Sequence, residues 1–160
     1  SDSLNFFGKW YLQLWSESLG KDGKGINPIH SIGTVDQHSQ LQLYLDGPKD
    51  KFFTFITTEH SGLGLRINQK IMEDNNMFFL AGKTMGDLMQ AEQKATIDTF
   101  QNKGLHYRTI NLKNIDEFYL GQLMTHFIIE TIAMSFYLKV NPFNQPAVEY
   151  GKTLTKKYLS

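Results

Sequence analysis

At 160 residues the chain has the length of about one domain, enough to bury roughly two-thirds of its unfolded surface without disulfide or metal staples. Sixteen Lys and Arg against sixteen Asp and Glu leave no net charge, so no cationic field favours nucleic acid or an anionic membrane. Cysteine is absent, which removes disulfides, cysteine-ligated metals and thiol nucleophiles together and suits a reducing, cytoplasmic setting. The hydrophobic share of 41% is globular, no apolar run approaches the roughly 18 residues of a membrane span, and residues 1–7 carry no basic start of a signal peptide. The first residue is Ser rather than Met, so the chain is expected to be a piece of something longer.

Residues 4–19 read as a helix, with Phe7, Trp10, Tyr11, Leu14 and Ser18 on one stripe and Gly20 as its terminator. Residues 20–33 read as loop, with a short extended piece near Ile29–Ile32. Thr34 with Gln37 forms a capping-box pattern, predicting a helix from Val35 to the Gly47-Pro48 breaker. Leu41, Leu43 and Leu45 alternate instead as a strand would. Phe52, Phe53, Phe55 and Ile56 make a short continuous apolar run, more like a strand buried on both faces, as in a parallel sheet, than an edge strand. Residues 59–70 look irregular, and 76–102 largely helical, weakened by Gly82 and Gly86 and ended by Gly104. His106–Leu112 is the next strand. Asn114 with Glu117 is expected to cap a helix to about Leu138, apolar on most sides, with Gln122, His126 and Glu130 as its one polar row. After the Pro142 break, Asn144 is expected to cap a last helix with Pro146 in its first turn. Helices alternating with strands predict an α/β domain around a mostly parallel sheet.

Several motifs fail on their spacing. Gly82-Lys83-Thr84 and Gly151-Lys152-Thr153 look like the ends of phosphate-binding loops, but the glycine required five residues earlier is Met77 or Pro146. Gly20, Gly23 and Gly25 follow a helix rather than a strand, against a dinucleotide site. His126 and Glu130 share a helix face without a third metal ligand.

Three residues carry more weight. Glu17 lies seven residues after Trp10 and three after Leu14, which predicts a carboxylate on the apolar stripe near the helix end. Lost hydration and the negative helix end would both raise its pKa, as a general base requires. A frayed, solvated end is the plainer alternative. His38 would fall in the first turn after Thr34, as a proton handler or an ordinary surface His. Lys152 alone reads as an exposed lysine.

The three stretches together resemble the phosphoglucose isomerase family. Ser135-Phe136-Tyr137-Leu138, then Phe143 through Lys152 after four intervening residues, is similar to the family's C-terminal signature. Leu14 through Lys21 resembles its Glu-Ser-x-Gly-Lys segment, and Gly33 through His38 its Gly-Thr-x-x-Gln-His segment. Order and spacing also match, over essentially the whole chain. The resemblance implies that residues 1–160 are the C-terminal sugar-isomerase (SIS) domain of a longer chain, a flavodoxin-like three-layer α/β sandwich. It implies Glu17 as the base moving a proton between C1 and C2 of an open-chain sugar phosphate. His38, from the neighbouring subunit of a homodimer, would help open the ring, with Lys152 beside the ring oxygen and Gln145 lining the substrate pocket. The implied reaction interconverts glucose 6-phosphate and fructose 6-phosphate, with no metal or organic cofactor and no nucleic-acid or membrane partner.

The family's phosphate loop and its Gly-Gly-Arg-Phe-Ser signature have no counterpart here, and Arg66 and Arg108 are the only arginines. The isolated chain is therefore expected to be inactive. The alternatives are a non-catalytic SIS module that senses a sugar phosphate, an isomerase that also accepts mannose 6-phosphate, and a dimerisation fragment supported by the apolar 116–138 helix.

Overall fold

The computed structural model describes residues 2–160. They fall into two compact units, one formed mainly by Ser31–Tyr119 and the other by Ser3–His30 with Leu120–Ser160. The fold is mixed α/β with a parallel sheet, as expected, and the sheet has two strands among the described residues.

In the first unit, β1 (Phe53–Thr58) and β2 (Tyr107–Leu112) run parallel, in register from Phe53 opposite Tyr107 to Thr58 opposite Leu112. Parallel strands cannot be joined by a tight turn. Here the intervening chain supplies α4 (Gln69–Asp74), a 3-10 turn (Phe78–Leu80) and α5 (Met85–Asn102). Burial on both faces does not hold: Phe52 lies outside β1 and is exposed, and β1 is half-buried from Phe53 to Ile56. Alternation along β1 puts Phe53 and Phe55 on one face. Phe100 of α5, 1% exposed, meets their rings edge-on at centroid distances of 4.8 and 5.0 Å. On the opposite row, Arg108 donates through Nε to Thr54 Oγ1 at 3.0 Å.

The predicted helix from Val35 to Gly47 is two short helices, α2 (Val35–Ser39) and α3 (Leu41–Asp46). The Thr34 side chain makes no cap bond. The Gln37 amide, its expected partner, donates instead to Thr96 Oγ1 at 2.6 Å. Asp36 accepts from the Ile32 N–H at 2.6 Å and from the Gln40 side chain at 3.0 Å, so local polar groups take over the start of this segment. Leu41, Leu43 and Leu45 are helical despite their alternation, and Tyr44 of the same helix reaches the sheet, 5.2 Å from the Phe53 ring. Residues 29–32 hold no strand.

The helix expected over 76–102 begins only at Met85. Gly82 sits at φ +68, outside helical space, and Thr84 and Asp87 form a reciprocal capping box that starts α5. The irregular stretch after β1 runs to Asn68, whose side chain caps α4 by accepting from the Ile71 N–H at 3.1 Å.

The second unit holds α1 (Asn5–Leu19), most of α6 (Glu117–Leu138) and α7 (Pro146–Leu159). Phe7 and Tyr11 of α1 pack on Phe127 of α6, with centroids 5.7 and 4.7 Å away. Only the row Leu123, Phe127, Thr131 and Ser135 of α6 is buried. The expectation of burial on most sides does not hold, since Ile129, Phe136 and Tyr137 are exposed. The two buried hydroxyls are satisfied locally, Thr131 by the Phe127 carbonyl at 2.7 Å and Ser135 by that of Ile132 at 2.6 Å. Two caps are shifted from prediction. Asp116, not Asn114, accepts from the Tyr119 N–H at 2.9 Å, and Gln145, not Asn144, precedes α7, with Pro146 in the first turn as predicted.

Candidate active site

The site is built where the end of α1 meets the start of α7. Glu17 lies in the last turn of α1, and its carboxylate is exposed rather than desolvated. Helix geometry gives the reason: Ser18 is on the buried line, and one residue back rotates about 100° around the axis. Trp10, seven residues earlier, is itself only half-buried, so the face they share is the margin of the apolar stripe.

Both oxygens of this carboxylate accept from an amide. Gln13, one turn earlier, donates through Nε2 to Oε1 at 3.1 Å. Gln145, 128 positions away, donates through Nε2 to Oε2 at 2.6 Å. A carboxylate held by two neutral donors keeps a fixed direction without being paired to a cation.

The end of α1 is organised by groups that spacing alone did not single out. Lys21 donates through Nζ to the carbonyls of Glu17 at 2.8 Å and Ser18 at 2.7 Å, neutralising the negative helix end. Burial holds the Lys21 pKa below the usual lysine range, against the opposing pull of Asp22. The following loop is fastened by Trp15 Nε1 to the Ile26 carbonyl at 3.1 Å and by Lys24 Nζ to the Leu138 carbonyl at 2.9 Å. Gln13 could have been found as the residue one helical turn before Glu17, and Lys21 as a cation just past the helix end.

Lys152 lies on the second turn of α7 and is exposed, with its Nζ 2.6 Å from Glu149 Oε1. Among the described residues no hydrogen bond or ion pair joins it to Glu17. The structure thus brings Gln145 to Glu17, while Lys152 stays paired within its own helix. His38 belongs to the other compact unit, exposed in the last turn of five-residue α2 rather than the first turn of a longer helix. His126 and Glu130 form a 3.6 Å pair on α6, and no group of three or more metal-ligating side chains occurs among the described residues. No helix among them is long and apolar enough to cross a membrane.

No family model matches the chain. Individual curated proteins do. The chain is 38% identical over 155 residues to glucose-6-phosphate isomerase of Rubrobacter xylanophilus, covering 97% of this chain and 36% of that protein. It is 39% identical over 153 residues to glucose-6-phosphate isomerase of Methanocaldococcus jannaschii, covering 96% and 37%. It is 35% identical over 159 residues to the probable glucose-6-phosphate isomerase of Methanococcus maripaludis, covering 99% and 35%. The chain spans about a third of the length of these relatives. Along nearly all of its own length the chain is similar to the glucose-6-phosphate isomerases.

Proposed function

We propose that the chain supplies the proton-transfer part of an aldose–ketose isomerase site that interconverts glucose 6-phosphate and fructose 6-phosphate. The observation that carries this reading is the 2.6 Å bond from Gln145 to Glu17, which unites two segments, 128 positions apart, that the resemblance assigns to one pocket. The names of the relatives supply the substrate class.

In this reading the Glu17 carboxylate takes the proton from C2 of the open-chain aldose. The C2–H electron pair becomes the C1=C2 double bond of a cis-enediol, and the carbonyl pair moves onto O1, which gains a proton. The second half runs in reverse at the neighbouring atoms. O2 releases to solvent a proton equivalent to the one O1 took up, its O–H pair forms the C2=O2 bond, and the C1=C2 pair takes back at C1 the proton held by Glu17. One carboxylate serves both carbons if it stays fixed while the proton moves, and the two glutamine amides provide that fixity. Closed sugar rings must open first, and His38 from a neighbouring subunit with Lys152 at the ring oxygen is the proposed apparatus. Glu17 is exposed in the single chain, so substrate and the neighbouring subunit supply the exclusion of water in this scheme. Both arginines are engaged elsewhere, Arg66 with the Gly82 carbonyl at 3.3 Å and Arg108 with Thr54, so neither is assigned to the charge of the intermediate.

The test is Glu17→Gln in a full-length protein that contains this chain. Turnover is expected to fall at least ~10²-fold, the lower range for loss of a general base, with KM little changed. Turnover within a few fold of the parent would remove Glu17 from the role.

A further inference from the structure

Beyond the proposed isomerase chemistry, a second concave site lies in the first unit at the amino ends of the two strands. A partly open hollow of about 60 Å³ is bordered by the turn before β1 and the turn before β2. Its walls carry Lys49, Lys51 and His106, its apolar lining includes Phe53 and Leu105, and no carboxylate lines it. We propose that this hollow binds a small tetrahedral oxyanion, inorganic phosphate or the phosphoryl end of a monoester.

Three observations support this. The first is the sign of the charge: Lys49 and Lys51 line a space with room for a few waters or one small anion. The second is the state of Lys51. Its side chain is only 23% exposed, so most of its length lies against the protein beside the hollow. It spends two donors, one on the Pro48 carbonyl at 3.3 Å and one on the Asp50 carboxylate, leaving a third N–H. The third is Asp50 itself, which is 67% exposed and absent from the lining, a counter-ion that can turn outward into water when a better anion arrives. Ligands of open α/β sheets lie beyond the carboxyl ends of the strands. A hollow at the amino ends owes its character to these side chains rather than to the general habit of the fold.

The test is titration of the isotopically labelled protein with sodium phosphate, with ionic strength held constant by sodium chloride, following backbone amide resonances. Saturable shifts confined to the neighbourhood of Lys51, Phe53 and His106 are expected. Lys51→Ala should weaken binding about tenfold, the loss of one charge-assisted hydrogen bond. Asp50→Asn should tighten it several-fold, because the competing carboxylate is gone. Lys51→Gln serves as a second variant should Lys51→Ala not fold. Repeating the titration with glycerol 3-phosphate separates the sources: saturation by both ligands supports a phosphoryl-reading site, and by phosphate alone a site for the free ion. Shifts that never saturate, that chloride reproduces, that spread over the whole surface, or that Asp50→Asn weakens would overturn the proposal.

Discussion

Replacing Gly86 by Ala separates two opposing effects within one methyl group. Gly86 is the second residue of α5, where alanine has the better helix propensity by up to about 1 kcal/mol. A substitution judged by propensity alone would stabilise the protein. The surroundings argue otherwise. A Cβ on Gly86 would lie 2.0 Å from the His60 carbonyl oxygen, 2.7 Å from that of Leu63 and 2.9 Å from the Leu63 nitrogen. All three are backbone atoms, so no rotamer change relieves the collision, and the loop after β1 must move off α5. That loop is held there by Gly86 N–H to the Leu63 carbonyl, Met85 N–H to the Leu65 carbonyl and Gly62 N–H to Asp87, each 2.9 Å long. Losing two or three such bonds costs about 1–4.5 kcal/mol at ~0.5–1.5 each, which matches or exceeds the helix gain. The expected outcome is net destabilisation of up to about 3 kcal/mol, read as a lower urea midpoint with an unchanged slope. A midpoint raised by the equivalent of about 1 kcal/mol would show that propensity prevails and that the close approach of loop and helix is soft.

Two further outcomes follow from the same unit. Phe100→Ala removes the ring that closes over Phe53 and Phe55, and is expected to cost about 3–5 kcal/mol in denaturant unfolding; a loss under ~1 kcal/mol would mean the core lies elsewhere. Asp87 accepts from the N–H groups of Thr84 and Gly62 and from the Ser61 hydroxyl, and the Thr84 N–H foremost among these holds its pKa down at about 2. Because this lies below the unfolded carboxylate value of ~3.9, Asp87 stabilises the fold above about pH 4, and that contribution disappears as pH falls toward 2. Asp87→Asn should flatten the fall of the urea midpoint across that window, and an unchanged pH profile would contradict the assignment.

What could be read from the sequence was what periodicity and punctuation determine. The α1 stripe, both strands, the long α6 and Pro146 at the head of α7 all appear where apolar spacing and breakers put them. The errors have a common physical form. Thr34, Asn114 and Asn144 were each expected to cap, and in each case a neighbouring polar group does something else: Gln37 bonds across to Thr96, Asp116 takes the Tyr119 N–H, and Gln145 turns to Glu17. A capping motif lists which groups could bond, whereas the bond formed depends on partners that the fold brings from elsewhere. Gly82 ended the expected early helix for a related reason. Its φ of +68 belongs to the turn that delivers Thr84 and Asp87 to their capping box, a demand set by the start of α5 rather than by the preceding residues.

The candidate site was legible to a different degree. Glu17, Gln145 and Lys152 stand out because their segments resemble those of one family, yet spacing on a helix wheel misjudged the surroundings of Glu17. The wheel placed it with Trp10 on the apolar face, and the structure leaves both at the margin of that face, with the carboxylate open to water. The two amides bonded to it matter more than the apolar neighbours that were expected. An exposed carboxylate without them would sample many rotamers, and in the proposed reaction reaching two adjacent carbons in turn would require it to be reoriented during each cycle. Gln13 lies one turn earlier on α1 and Gln145 immediately before α7, so the two elements meeting here each supply one amide to the Glu17 carboxylate. In the proposed reading the orienting contacts of Glu17 thus reside in this chain, while the exclusion of water has to come from what binds against it.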